Sequence, residues 1–142
     1  MSQTPRFLFG RDDVQAYLQS VGDRANFVSG GLNVTRTDGG RDHLVFANWN
    51  HEQGVVRFFT VVPIPVLKPE QLPEIQGRVL ALNAELALGE VLLFRRRLSV
   101  RSYVFFNHDG SLSTRVVESC MRLVVETSNR AAAHVADIVD AA

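Results

Sequence analysis

Residues 43–66 read HLVFANWNHEQGVVRFFTVVPIPV, and this stretch decides the fold. Residues 43–50 alternate between two faces, which is the period of a β-strand; one face carries Val45, Ala47 and Trp49. The segment HEQG at 51–54 is a turn signal, and a long apolar strand follows it. That strand must end at Pro63, because proline cannot donate a ladder hydrogen bond. The stretch therefore predicts two antiparallel strands joined by a short turn.

The segment upstream adds a third strand. ANFVSGGLNVTR at 25–36 is rich in β-formers but contains Gly30 and Gly31, which predicts a bulge or a bend within one strand. TDGGRD at 37–42 is a turn signal between this run and the next. Residues 25–66 are therefore predicted to form a three-stranded antiparallel meander.

Helical periodicity flanks the meander. Residues 11–22 carry apolar side chains at i, i+3, i+4 and i+7, and residues 68–89 and 113–138 also have helical spacing. Residues 90–107 predict a β-hairpin between the last two helices. The chain, 1–142, is thus predicted to be a single α+β domain: helix, three-stranded antiparallel meander, helix, β-hairpin and long C-terminal helix.

The second helix is apolar on two sides. Ile75, Val79, Leu82 and Leu86 form one stripe, and Leu80, Ala84 and Ala87 form another. Such a helix is either central in its own domain or shared with a partner subunit. A homodimer is predicted, with dimerisation residues Leu72, Ile75, Val79, Leu80, Leu82 and Leu86.

Composition excludes several classes of protein. Lys plus Arg and Asp plus Glu are each 15, so the formal net charge of the 142 residues is zero, which argues against a dedicated nucleic-acid-binding protein. The single cysteine allows no internal disulfide. No apolar run approaches ~18 residues, and MSQTPRFLFGRDD lacks a signal peptide's apolar stretch. A soluble cytoplasmic protein without membrane contact is expected.

No catalytic constellation is visible. The chain lacks a nucleophile elbow, a Walker loop and a dinucleotide-binding glycine motif. The histidines are not at metal-binding spacing: His43, His51 and His108 are interpreted as turn or strand-edge residues, and His134 as helical. Cys120 lies on an apolar helical face and is predicted to be a buried hydrophobe. We therefore expect no enzymatic activity, no cofactor and no metal.

The stretch FRRRLSVRSYVFF at 94–106 suggests where a partner binds. The triple arginine is interpreted as the hairpin turn, and the strand after it has one apolar face with Leu98, Val100, Val104 and Phe106. Arginines and aromatics share the other face, which predicts a recognition surface. Its partner-binding residues are Arg97, Arg101, Tyr103 and Phe105, together with Arg57 of the meander. The alternative is ordinary solvated strand charge, in which arginine stems cover apolar surface.

LNAELALGEVLLF at 82–94 and GSLSTRVVESCMRLVVETSNRAAAHVADIV at 110–139 carry a family resemblance. In these segments and in the order of its elements, the chain resembles the type III secretion chaperone-like fold, and in particular its bacterial YbjN-like branch. The resemblance implies a small, often dimeric protein that binds other proteins and has no catalytic residues. Secretion chaperones of this shape hold an extended client segment, and YbjN-like proteins are described as sensory or stress-response regulators. Those chaperones are usually acidic and this chain is neutral, which favours general partner binding over secretion.

Three classes of function are compatible with these features. The leading hypothesis is a non-catalytic, chaperone-like or regulatory adaptor that acts as a homodimer on a protein client. The alternative is an accessory protein that binds single-stranded nucleic acid, or a nucleic-acid-binding partner, through the arginine and aromatic face. A small-ligand or enzymatic domain comes last, because the sequence offers no convergent polar cluster.

Overall fold

The computed structural model describes residues 6–141. In chain order the elements are β1 (Phe7–Leu8), α1 (Gly10–Ser20), β2 (Arg24–Val28), β3 (Gly31–Asp38), β4 (Arg41–Asn50), β5 (Val55–Val61), a 3-10 turn (Pro69–Gln71), α2 (Leu72–Glu85), β6 (Glu90–Phe94), β7 (Arg97–Phe105), β8 (Leu112–Ser113) and α3 (Thr114–Val139). The predicted α+β class and the long C-terminal helix are confirmed.

Six strands form one antiparallel sheet in the order β2-β3-β4-β5-β7-β6, and β1 pairs separately with β8. β5 ends at Val61, before Pro63, because proline cannot donate a ladder hydrogen bond. The chain crosses through α2 to the edge strand β6, and the hairpin then returns β7 to a place beside β5. β7 thus pairs with β5 from Ser99 to Phe105 and with β6 only from Arg97 to Arg101.

The meander has four strands, so the prediction of three was wrong. Val28 pairs with Gly31, which makes Ser29 and Gly30 a tight hairpin turn instead of a bulge. Gly30 has a φ of 81°, a conformation that glycine adopts without a steric penalty. Gly31 is required for a different reason: a Cβ there would lie 1.8 Å from the carbonyl oxygen of Ala47 on β4. Two glycines that resemble a bulge in sequence therefore serve a turn and a close strand contact.

The hairpin between β6 and β7 was predicted correctly. Its two turn residues, Arg95 and Arg96, have φ values of 49° and 63°. Positive φ at both central residues is the geometry of a type I′ turn, whose twist matches that of the flanking strands. The first two arginines of the triple therefore make the turn, and the third, Arg97, opens β7.

The molecule has two layers, with the three helices packed on one face of the sheet. We call this the inner face; α1 contacts β2 and β3, α2 contacts β6, and α3 contacts β5 and β7. The core between the layers includes Leu18, Leu32, Val45, Phe58, Ile75, Leu98, Val100, Met121 and Val124. The opposite, outer face of the sheet carries the alternate residues of each strand.

The helix α2 corrects the predicted dimerisation surface. Ile75, Val79 and Leu82 are buried in the core of the single chain, so they have no surface left for a partner. Leu72 and Leu86 are half-buried against the same core. Of the six predicted residues, only Leu80 is exposed, at 65%.

Candidate functional site

The outer face of the sheet is the candidate site. Strand register places Phe46 of β4 opposite Phe59 of β5, Phe59 opposite Arg101 of β7, and Arg101 opposite Glu90 of β6. The neighbouring row joins Arg57 to Tyr103. Aromatic rings and arginines from β4, β5 and β7, and a glutamate from β6, therefore share one surface.

Tyr103 lies between two guanidinium groups. The Arg57 Cζ lies 5.5 Å from the centre of the Tyr103 ring, and the Arg101 Cζ lies 5.6 Å from it. Both distances are within the range of a cation–π contact, which contributes about 0.5–1 kcal/mol at an exposed site. The two arginines thus hold the tyrosine side chain in place on an otherwise flat strand surface.

The two arginines differ in whether a carboxylate neutralises their charge. Arg101 forms an ion pair with Glu90 on the adjacent strand. Arg57 forms no ion pair with any residue from 6 to 141, and its Nε is buried without a hydrogen-bond partner in that range. A buried donor without a partner is unfavourable. Because no carboxylate of the described residues neutralises its charge either, Arg57 is the arginine of this cluster best placed to bind an acceptor group of a partner.

The structure brings together four of the five residues predicted to bind a partner. Arg57, Arg101 and Tyr103 are in contact, and Phe105 is the next outer-face residue of β7 after Tyr103. Phe105 is 74% exposed. Arg97 is apart from the group: it pairs with Phe94 at the hairpin end of β7, about 20 Å from Tyr103 at the usual rise per residue.

Sequence reasoning missed two aromatic residues of this surface. The ring centres of Phe46 and Phe59 are 6.5 Å apart, and both rings line a shallow hollow of about 390 Å³ that also includes Arg57 and Asn48. Gly31 and Ala47 also line it. The alternation in residues 43–50 was enough to predict that Phe46 lies away from the core. Its proximity to Phe59 and Arg57 could not be predicted in the same way, because it depends on strand register.

A second hollow opens at the edge of the sheet. β6 pairs only with Arg97–Arg101, so β7 continues from Ser102 to Phe105 beyond the start of β6. A pocket of about 280 Å³ lies there, between this part of β7 and the helix α3. Apolar side chains dominate its lining, which includes Leu88, Val104, Val116, Cys120 and Leu123.

Cys120 lies in this pocket and is buried, as predicted. Burial raises the pKa of its thiol from 9.0 to about 11, although a hydrogen bond with Ser102 acts in the opposite direction. The thiolate is the nucleophilic form of cysteine. A thiol with so high a pKa is almost wholly protonated at neutral pH, so Cys120 acts here as an apolar side chain.

The position of one histidine, His43, differs from the prediction of a turn or strand-edge residue. His51 and His108 are exposed near turns, but His43 is buried on the inner face of β4. His43 is buried because it lies on the same face of the alternating strand as Val45 and Ala47.

Within residues 6–141, no three side chains of His, Cys, Asp or Glu form a group that could hold a metal ion.

Comparison with family models, curated proteins and solved structures finds no match to this chain. Among the helices of residues 6–141, none has both the length and the apolar character needed to cross a membrane.

Proposed function

We propose that this protein is a non-catalytic binding module, chaperone-like or regulatory, which holds a protein client on the outer face of its sheet. One observation carries the proposal. The outer face, which lies opposite the helical layer, presents a tyrosine held between two arginines and flanked by exposed or half-exposed phenylalanines.

The composition of this face supports a protein partner. Tyrosine and arginine are enriched among the residues that dominate protein–protein binding, and they act best when surrounding contacts exclude water. Here Phe59 and Phe105 provide apolar surface on either side of the arginine–tyrosine stack. A client that presents an apolar segment with one carboxylate would cover these rings and pair with the charge of Arg57.

Removal of the Tyr103 side chain should weaken client binding. Tyr103→Ala deletes the central ring and leaves both guanidinium groups without their support, so we expect about a 30-fold loss of affinity, as for a binding hot spot of about 2 kcal/mol. Proteins retained from a native lysate would be compared by mass spectrometry for wild type and variant. The affinity of a purified client would then be measured by calorimetry.

Arg115→Ala is the matched control, because Arg115 is exposed on α3. It should retain the same client at the wild-type affinity. If every retained protein bound equally well to Tyr103→Ala, the outer face would not be the binding surface.

Single-stranded nucleic acid is the second candidate for the same face, because bases stack on aromatic rings and arginines contact phosphates. Zero net charge and the Arg101–Glu90 ion pair favour the protein client. Fluorescence anisotropy with oligodeoxythymidine at low and physiological salt separates the two. Salt-dependent binding that Arg57→Ser weakens would favour nucleic acid.

We also propose that the module is a homodimer, through the exposed side of α2. Leu80 is an exposed apolar side chain, and Ala84 and Ala87 are small exposed residues near it. Leu80→Glu places a charge in that surface, and light scattering should then give the mass of one chain where wild type gives two. A wild-type mass of one chain would contradict the dimer.

The family resemblance extends the proposal. A YbjN-like or secretion-chaperone-like role in bacterial stress regulation, in the cytoplasm, fits an adaptor that binds clients and performs no chemistry. Partners identified by the lysate experiment would distinguish a regulatory pathway from a secretion pathway.

A further inference from the structure

The unpaired edge of β7 has a defined hydrogen-bonding direction. Val62 N donates to Leu98 O at 2.9 Å, and Phe106 N donates to Gly54 O at 2.9 Å. In an antiparallel strand the N–H and C=O of one residue point to the same side, and successive residues alternate. The even-numbered residues of β7 therefore bond towards β5, and Tyr103 and Phe105 direct their main-chain groups towards the side of β6.

β6 does not reach these residues. Its first residue, Glu90, pairs with Arg101, and before it the chain leaves the sheet at Gly89, which has a φ of 75°. A Cβ on Gly89 would lie 3.2 Å from the carbonyl oxygen of Arg101, so the glycine lets the chain turn away close to β7. No residue from 6 to 141 pairs with the Tyr103 and Phe105 main chain on this side.

We infer that this edge is a binding site for a short extended peptide of another protein, which adds to the sheet as a strand in line with β6. We call the site the β7 slot; it consists of the edge from Ser102 to Phe105 and the pocket of about 280 Å³ beside it. The inference rests on the proposed function as a protein-binding module and specifies how the client is held.

The pocket lies where an added strand would place its side chains. Residues opposite each other in paired strands have their side chains on the same face. A peptide residue opposite Ser102 or Val104 would therefore point to the inner face, into the pocket lined by Val116, Cys120 and Leu123. Strand addition gains affinity from main-chain hydrogen bonds and specificity from pockets for alternate side chains, and the slot offers both.

The slot favours a short apolar segment without net charge. It is bounded at one end by Glu90, which pairs with Arg101, and at the other by the end of β7 at Phe105, so the edge is about four residues long, or about 13 Å. Arg122 and Glu126 line the pocket with opposite charges, so neither sign is preferred. Peptide residues opposite Tyr103 and Phe105 would lie beside those rings on the outer face.

A second copy of this chain fits the slot poorly. If two β7 strands paired antiparallel about Val104, residue 101 of one chain would lie opposite residue 107 of the other. β6 of the first chain, which is paired to residue 101, would then lie against the turn Asn107–Gly110 of the second. A free peptide has no such neighbour, so a segment of a different protein fits the slot better than β7 of a second copy.

A displayed library of random eight-residue peptides provides the test. We expect selection on the wild-type protein to enrich peptides with apolar residues at alternate positions. N-methylation of the amide that pairs with the Tyr103 carbonyl should weaken a synthetic peptide at least tenfold. Val116→Glu, at an exposed residue of the pocket, should weaken it at least tenfold as well.

Val21→Glu is the matched control, because Val21, the residue directly after α1, is exposed to a similar extent, 46% against 43% for Val116, and lies outside the pocket. It should leave the affinity unchanged. No enrichment, or enriched peptides unaffected by Val116→Glu, would overturn the slot. Peptides weakened by Arg57→Ser but not by Val116→Glu would overturn the slot and leave the outer-face function standing. A dimer in light scattering that Val116→Glu dissociates would make a second copy the occupant and also overturn the inference.

Discussion

Replacement of Arg36 by methionine is expected to lower the free energy of unfolding by about 3–5 kcal/mol. Arg36 on β3 lies between two carboxylates, Asp23 in the loop after α1 and Glu118 on α3. Its guanidinium donates to Asp23 at 2.9 and 2.8 Å and to Glu118 at 2.8 and 2.7 Å. One side chain therefore joins the sheet to the loop after the first helix and to the last helix.

Burial makes this cluster important for stability. The side chains of Arg36 and Asp23 are only 14% and 4% exposed. Burial by itself would lower the pKa of Arg36, but the hydrogen bonds with Asp23 and Glu118 outweigh it and hold that pKa above its usual value. Methionine has similar length and no charge, so the variant leaves two carboxylates close together and largely dehydrated. Breaking a buried ion pair on one side is far more damaging than replacing both partners.

Urea unfolding followed by circular dichroism measures the loss, and Arg24→Met is the control. Arg24 also contacts an aspartate, Asp42, at 3.2 Å, but both side chains are more than half exposed. Exposed ion pairs contribute about 0–1 kcal/mol, so this variant should unfold within about 1 kcal/mol of wild type. Equal losses for the two variants would show that burial of the cluster does not matter.

Tyr17 gives a second readout of the same substitution. Its pKa is raised by burial and by the charge of Glu118, and the charge of Arg36 opposes that rise. Without Arg36, the folded protein should ionise Tyr17 at a higher pH, as measured by phenolate absorbance. The chain has two tyrosines, so the titration is done in a Tyr103→Phe background. An unchanged titration would contradict the electrostatic account even if stability fell.

Local pattern was enough to predict most elements of the fold. The alternation of residues 43–50, the prolines after β5 and the length of α3 each follow from one segment of sequence. Gly30 and Gly31 misled the prediction, because a bulge and a two-residue turn require the same residue type. The choice between them depends on the pairing of Val28 with Gly31, and strand pairing is not a local property.

The candidate site was predictable only in part for the same reason. The two-residue period of β7 places Arg101, Tyr103 and Phe105 on one face, and this could be predicted from the sequence of β7 alone. Phe59 and Phe46 join them only because β5 lies between β4 and β7. The β7 slot depends on where β6 starts, which Gly89 determines by turning the chain. Likewise, the stripe of Ile75, Val79 and Leu82 indicated an apolar helix face without saying whether the core or a partner covers it.

Replacement of Phe58 by alanine is expected to destabilise the protein by about 3–5 kcal/mol, the usual loss for a buried phenylalanine. Phe58 is fully buried on the inner face of β5, a strand paired on both sides and covered by α3. Alanine removes the ring from the centre of the core, and the surrounding strands and helix cannot close the space completely. Urea unfolding gives the change, and refolding of the variant shows whether the fold survives.

Phe59→Ala is the matched control, since it removes the same ring from the next residue of the same strand. Phe59 lies on the outer face, half-exposed beside Phe46, so its loss should cost less than about 1.5 kcal/mol. Its effect should appear instead in client binding, because its ring belongs to the surface around Arg57 and Tyr103. Two adjacent phenylalanines should therefore separate stability from binding: Phe58→Ala destabilises the fold, and Phe59→Ala weakens the client in a protein that remains folded. If Phe59→Ala destabilised the chain as much as Phe58→Ala, both faces of the sheet would be buried, and the outer face could not be the binding surface.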